Sequence, residues 1–139
     1  RYPMLSDEPE TGNIVHFELY TEDPDATQAF HESVYGWTFE STDDESYTMV
    51  YPPTPPNGGI MEANNEMPPG FLLYVLVDSV EDAVANTESE HGEILRDPFD
   101  IDGWGTMALV KAPGGILHAF WESTDAMNTD DTAEIEAAE

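Results

Sequence analysis

Two side chains in the first apolar stretch have the types and spacing for proton chemistry. From Ile14 to Tyr20 the residues alternate, with Val15, Phe17 and Leu19 on one side and His16, Glu18 and Tyr20 on the other. A period of two describes a strand with one apolar face, so His16 and Glu18 project together from the polar face. Imidazole changes charge near neutrality, and a neighbouring carboxylate can act as a base or hold the ring in one tautomer. Plainer roles stand beside these: His16 as a hydrogen-bonded lining residue, Glu18 as a carboxylate at a solvated mouth. His118 shares a strand face with Phe120 and reads as a core histidine turned toward the helices. His31 and His91 fall on helices or their ends, with no partner evident. Other chemistries are missing. The chain has no Cys, hence no thiolate ligand, nucleophile or disulfide. It has no G-x-S-x-G elbow, P-loop, G-x-G-x-x-G or H-E-x-x-H. Gly58-Gly59 and Gly114-Gly115 read as turns, Asp43-Asp44-Glu45 as a solvated hairpin turn, and Asp78, Glu81 and Asp82 as a helix start favoured by the helix dipole.

The elements that position these residues come in two copies. Tyr35-Gly36-Trp37 and His91-Gly92-Glu93, Gly58-Gly59-Ile60 and Gly114-Gly115-Ile116, and the strands beginning at Ile14 and Gly70 share one offset of 56 residues. Three landmarks in one order at one offset make each half a single supersecondary unit. In the first, Asp23 caps a helix with Pro24 at its first position. Ala26, Ala29, Phe30 and Val34 form its apolar stripe, and Gly36 closes it in the left-handed conformation. Strands follow at Trp37–Ser41, Ser46–Tyr51 and Gly59–Asn64, with the proline-rich Tyr51–Asn57 loop stiff and extended. In the second half Ser79 caps a helix that Gly92 closes. Strands then run near Glu93–Asp97, Gly105–Lys111 and Ile116–Glu122. Met67-Pro68-Pro69-Gly70 is the joint. The organisation is a 1–12 extension, one domain over 13–123 (copies 13–66 and 70–123), and an acidic tail over 124–139.

Charge narrows the partners. Thirty Asp and Glu face three basic residues, Arg1, Arg96 and Lys111, for a formal net charge of −27. Phosphate binding needs clustered Lys and Arg, so nucleic acid is excluded as a partner. No apolar run is long enough to span a bilayer, and Arg1-Tyr2-Pro3-Met4 does not open a signal peptide. The tail carries six of the acidic residues, and the rest lie in patterned, foldable sequence. Such repulsion is tolerable where molar salt shortens the Debye length to roughly 3 Å. This is the composition of a cytoplasmic protein from a high-salt, haloarchaea-like organism, and the lack of Cys fits that compartment.

The stretch Ile14-Val15-His16-Phe17-Glu18-Leu19, then Asp23-Pro24, Phe30 and Val34-Tyr35-Gly36-Trp37, resembles the opening module of the vicinal oxygen chelate superfamily. Ala112-Pro113-Gly114-Gly115-Ile116 through Ala119-Phe120-Trp121-Glu122 is similar to its final turn and strand. Glyoxalase I, bleomycin-resistance proteins and extradiol dioxygenases belong to that superfamily. The resemblance, over residues 13 to 123, implies an α+β fold of two tandem β-α-β-β-β modules forming a curled mixed sheet around a cavity. It also implies four metal-ligand positions, which fall on His16, on Ala63 (or Glu62 with a one-residue slip), on Leu72, and on Ala119 with His118 beside it. One competent ligand in four implies a metal-free protein without cofactor. β-bulges would instead assemble His16, Glu62 and His118 as a two-His, one-carboxylate site for iron, nickel or zinc. Tyr74, Trp104 and Trp121 join His16 as ligand-binding candidates lining the cavity. The functions left open are binding of a small, aromatic or apolar molecule; a metal-dependent lyase, isomerase or dioxygenase; proton transfer by His16 and Glu18 without metal; and a purely interacting domain. Apolar Trp37, Phe39 or Met61 on an open sheet would suit a homodimer interface.

Overall fold

The computed structural model of the chain describes residues 10–43, 47–101 and 103–123. Residues 1–9, Asp44, Glu45, Ser46, Asp102 and residues 124–139 lie outside the described residues, and with them the expected start of the second strand at Ser46 and most of the Asp43-Asp44-Glu45 turn. The elements run β1 (Ile14–Thr21), α1 (Pro24–Tyr35), β2 (Thr38–Ser41), β3 (Thr48–Tyr51), β4 (Gly58–Glu62), β5 (Gly70–Leu76), α2 (Val80–Ser89), β6 (Glu93–Ile101), β7 (Gly105–Ala112) and β8 (Ile116–Ser123). The order is β-α-β-β-β twice, an α+β arrangement. Two compact units divide the chain, one Val15–Leu73 and the other formed by the remaining residues.

In the first unit the strand order is β2-β3-β4-β1. β1 and β4 are parallel and the other pairs antiparallel, so the sheet is mixed. The apolar face of β1 supplies its core: Phe17 and Leu19 bury against Val50 and Ile60, with Trp37, Phe39 and Leu73 packed around them. Removing each such side chain from water contributes about 1.5–3 kcal/mol. Local chemistry sets α1. The Ala26 N–H donates to Asp23 Oδ1 at 3.0 Å, Pro24 occupies the first turn, and Gly36, at φ 74°, donates its N–H to the Glu32 carbonyl. The apolar stripe of α1 is a different matter. No residue of the helix is buried, and Phe30 and Val34 are more than half exposed. Periodicity identifies an apolar face without saying that anything covers it. Conversely Trp37 and Phe39, read from sequence as exposed, pack on the core.

The second unit orders its strands β8-β7-β6, all antiparallel. Met107, Leu109, Val110 and Ala119 are buried there. Ser79 Oγ accepts from the Asp82 N–H at 3.1 Å, and Glu122 Oε1 of β8 accepts from the Val80 N–H at 2.7 Å. Two donors at the α2 N-terminus are thereby satisfied. The helix ends earlier than its glycine suggests: His91, at φ 73°, takes the left-handed position. Gly92 serves close packing, since a Cβ there would meet Thr87 and the Lys111 carbonyl. β6 outruns its expected length through register shifts between Ile94 and Phe99, and Pro98 sits in that irregular stretch of an edge strand.

The paired glycines split in role. Gly114 and Gly115, at φ 95° and 92°, make the β7–β8 turn. Gly58 and Gly59 are buried within β4 instead, where Cβ atoms would run into Phe17 and Tyr47 respectively. The Tyr51–Asn57 loop bends at residues 53–55 and contains a cis Pro55–Pro56 bond, in place of an extended run.

Candidate functional site

The polar face of β1 builds the site. The backbone alternation sends Phe17 and Leu19 into the core and His16, Glu18 and Tyr20 to the other side. Glu18 is 7% exposed, the one buried charged residue among the described residues. Its carboxylate accepts two hydroxyl donors, Tyr47 to Oε2 at 2.9 Å and Tyr20 to Oε1 at 3.3 Å. The Tyr47 oxygen also lies 3.1 Å from His16 Nε2. Burial pushes the His16 imidazole below its ordinary 6.5, and the Glu18 carboxylate partly opposes that shift. His16 and Glu18 are thus brought together as their spacing implied, but through a third residue.

That residue, Tyr47, was missed by sequence reading. It precedes β3, and β3 pairs with β4 so that Met49 lies opposite Gly59. Gly59 in turn lies opposite Glu18 in the β1–β4 register. With no side chain at 59, the tyrosine ring crosses β4 and reaches β1. Glycine inside a strand signals a close approach by another group, and that was the available clue.

The other candidates distribute differently. Glu62 lies opposite Thr21 in an unbroken register from Phe17↔Gly58 to Thr21↔Glu62. It therefore shares the core-side parity of Thr21 and sits five residues along from His16, about 16 Å. No bulge turns it back, so the set His16, Glu62 and His118 is not assembled. Among the described residues no three His, Asp or Glu cluster as metal ligands. Leu72 is 2% exposed and Ala119 fully buried, so two of the superfamily's four ligand positions hold buried apolar side chains, which do not fit a metal. His118 faces α2, as its parity with Phe120 implied. It lines an opening of about 350 Å³ with Ala83, Thr87, Val110 and Phe120. Tyr74 is buried, Trp121 is half-buried on β8 opposite Met107, and Trp104 is half exposed in the β6–β7 turn. None of the three lines the His118 opening. His31 does have partners: its Nδ1–H donates to the Thr27 carbonyl at 2.7 Å, and its ring stacks with Trp37 at 5.2 Å between centroids.

Residues 13–52, which carry β1, α1, β2 and Tyr47, match the family described as Bleomycin resistance protein-like N-terminal. The Mycobacterium tuberculosis protein "Putative glyoxylase CFP32" is 30% identical over 112 residues, covering 78% of this chain and 43% of that protein. The chain is similar in sequence to glyoxalase/bleomycin-resistance-like proteins. A second relative is the "Anthracycline biosynthesis protein DnrV" of Streptomyces peucetius, 25% identical over 123 residues, 76% of this chain and 45% of that one. The chain thus spans less than half the length of the curated relatives it matches. Its fold is shared with a glyoxalase/bleomycin resistance protein/dioxygenase superfamily member from Vibrio splendidus 12B01. That likeness has a TM-score of 0.59 at 18% identity and covers 82% of this chain and 100% of that one.

Proposed function

We propose that the protein binds a small organic molecule, aromatic or largely apolar, without a metal, and that the His16–Tyr47–Glu18 face of β1 supplies its polar contact. One observation carries the reading. At the positions where the superfamily holds a metal, this chain carries His16, already hydrogen-bonded to Tyr47, while two of the other positions are the buried apolar residues Leu72 and Ala119. Firm binding of zinc, nickel or iron takes at least three well-placed donors. Kinship with a protein named for anthracycline biosynthesis supports an aromatic ligand. The acidic composition supports a setting in the cytoplasm of a salt-accumulating organism, and the exposed Phe30 and Val34 of α1 support a homodimer as the working form.

A metal-dependent lyase is the second reading, favoured by the 30% identity to a protein named as a glyoxylase. Elemental analysis after dialysis, alongside titration with a polycyclic quinone followed by tryptophan fluorescence, separates the two. Metal-free binding predicts a saturable quench that His16→Ala weakens, with no stoichiometric transition metal. About one equivalent of iron, nickel or zinc, lost in both His16→Ala and Glu62→Ala, would overturn it.

A further inference from the structure

The opening beside His118 belongs to the second unit, and its described lining includes no residue of β1 or β3. Val110 and His118, which line it, are cross-strand partners on β7 and β8. Across from them α2 presents Ala83 and Thr87, one turn apart on the same helix face. These side chains are too small to fill the space between helix and sheet, and about 350 Å³ stays open. That is the lower end of the range for ligand pockets, enough for one ring and a short arm. Phe120, Ala112 and Pro113 extend the apolar wall.

The charge at the rim has one sign. Glu90 caps α2 at its C-terminus and stands exposed beside the opening, and that end of a helix is the negative pole of its dipole. The last turn carries no basic residue, and neither Arg96 nor Lys111 is among the lining residues. A carboxylate ligand would be repelled there, and a neutral one would gain nothing from Glu90. We propose that the α2–β7–β8 groove is a second binding site, separate from the β1 face, for a small organic cation: an amine whose apolar body lies against Val110 and Phe120 and whose ammonium group meets Glu90.

The test titrates the full chain in molar KCl with benzylammonium, benzyl alcohol and benzoate, following the Ala83, Thr87 and Val110 methyl signals by carbon-13 NMR. At that salt the general attraction of cations to a chain of charge −27 is screened beyond roughly 3 Å, so a preference for the amine reports direct contact. Benzylammonium is expected to shift these methyls saturably and to bind about two- to five-fold more tightly than benzyl alcohol, the worth of one exposed ion pair. Benzoate should bind weakest. Glu90→Gln, at an exposed position, should lower the amine to the affinity of the alcohol and leave the alcohol unchanged. Ala83→Leu keeps a good helix former, fills the groove and should abolish both. Equal affinity for amine and alcohol, an amine preference that survives Glu90→Gln, or the absence of any saturable shift overturns the proposal. Failure of the quinone titration at the β1 face would leave each of these outcomes untouched and sink the binding reading alone.

Discussion

Replacing Gly59 by alanine tests whether the Tyr47 seat is real. A methyl group at 59 occupies space now filled by the Tyr47 ring and hydroxyl, so the tyrosine must move. Moving it breaks a hydrogen bond to a charged group, worth about 1.5–3 kcal/mol, on a carboxylate only 7% exposed. Alanine regains about 0.5–1 kcal/mol over glycine within a strand. The net loss is about 1–2 kcal/mol, or about 3–6 °C in melting temperature at roughly 3 °C per kcal/mol for a chain of this size. Gly58→Ala should be worse, because there the methyl meets the Phe17 backbone carbonyl as well as its ring, and a paired strand cannot swing aside. Melting curves in molar KCl for Gly59→Ala, Tyr47→Phe and the double variant provide the assay. The bond can be lost only once, so the double variant should fall short of the sum by about 1 kcal/mol or more. Strict additivity, or a Gly59→Ala protein as stable as wild type, would refute the reasoning.

Three further outcomes are expected. Burial holds the His16 pKa below 6.5 in the folded chain, so the unfolded chain binds the extra proton first as pH falls. Stability should decline from pH 6.5 downward until the folded-state pKa is passed, then level off for this residue; in denaturant titrations His16→Gln should flatten the slope between pH 6.5 and 5.5. With a net charge of −27, the melting temperature should rise steeply from low to molar salt, and a flat curve would remove the high-salt argument. If the working form is a dimer that covers Phe30 and Val34, Phe30→Glu should shift sedimentation in molar salt toward a 15.4 kDa particle; an unchanged profile would move the contact elsewhere.

Local chemistry was legible in the sequence wherever the cause was local. Asp23, Pro24 and Gly36 bound α1 because capping is settled within one turn, and the alternation around Phe17 set which face of β1 is core. The 56-residue repeat supplied the order of elements. Tyr47 escaped because its partners are 29 and 31 residues away and no periodicity links them. The exposure of α1 escaped because an amphipathic pattern does not say what lies opposite. Gly92 misled because the offset carried the role of Gly36 across, while in the second copy His91 took the left-handed turn. The bulge needed to turn Glu62 toward His16 depended on register, and the pairing of β1 with β4 is continuous.

The two glycine pairs carry a consequence for the chain's ancestry as a duplication. Counting 56 residues on from His16, Glu18, Tyr20 and Tyr47 gives Leu72, Tyr74, Leu76 and Gly103. The second copy therefore has no counterpart of the network, although it keeps a glycine at 115 where the first has Gly59. An artificial protein made from two first halves would own two such networks, and one made from two second halves would own none. With the network's side chains present in the first copy alone, the internal symmetry is broken in favour of one half.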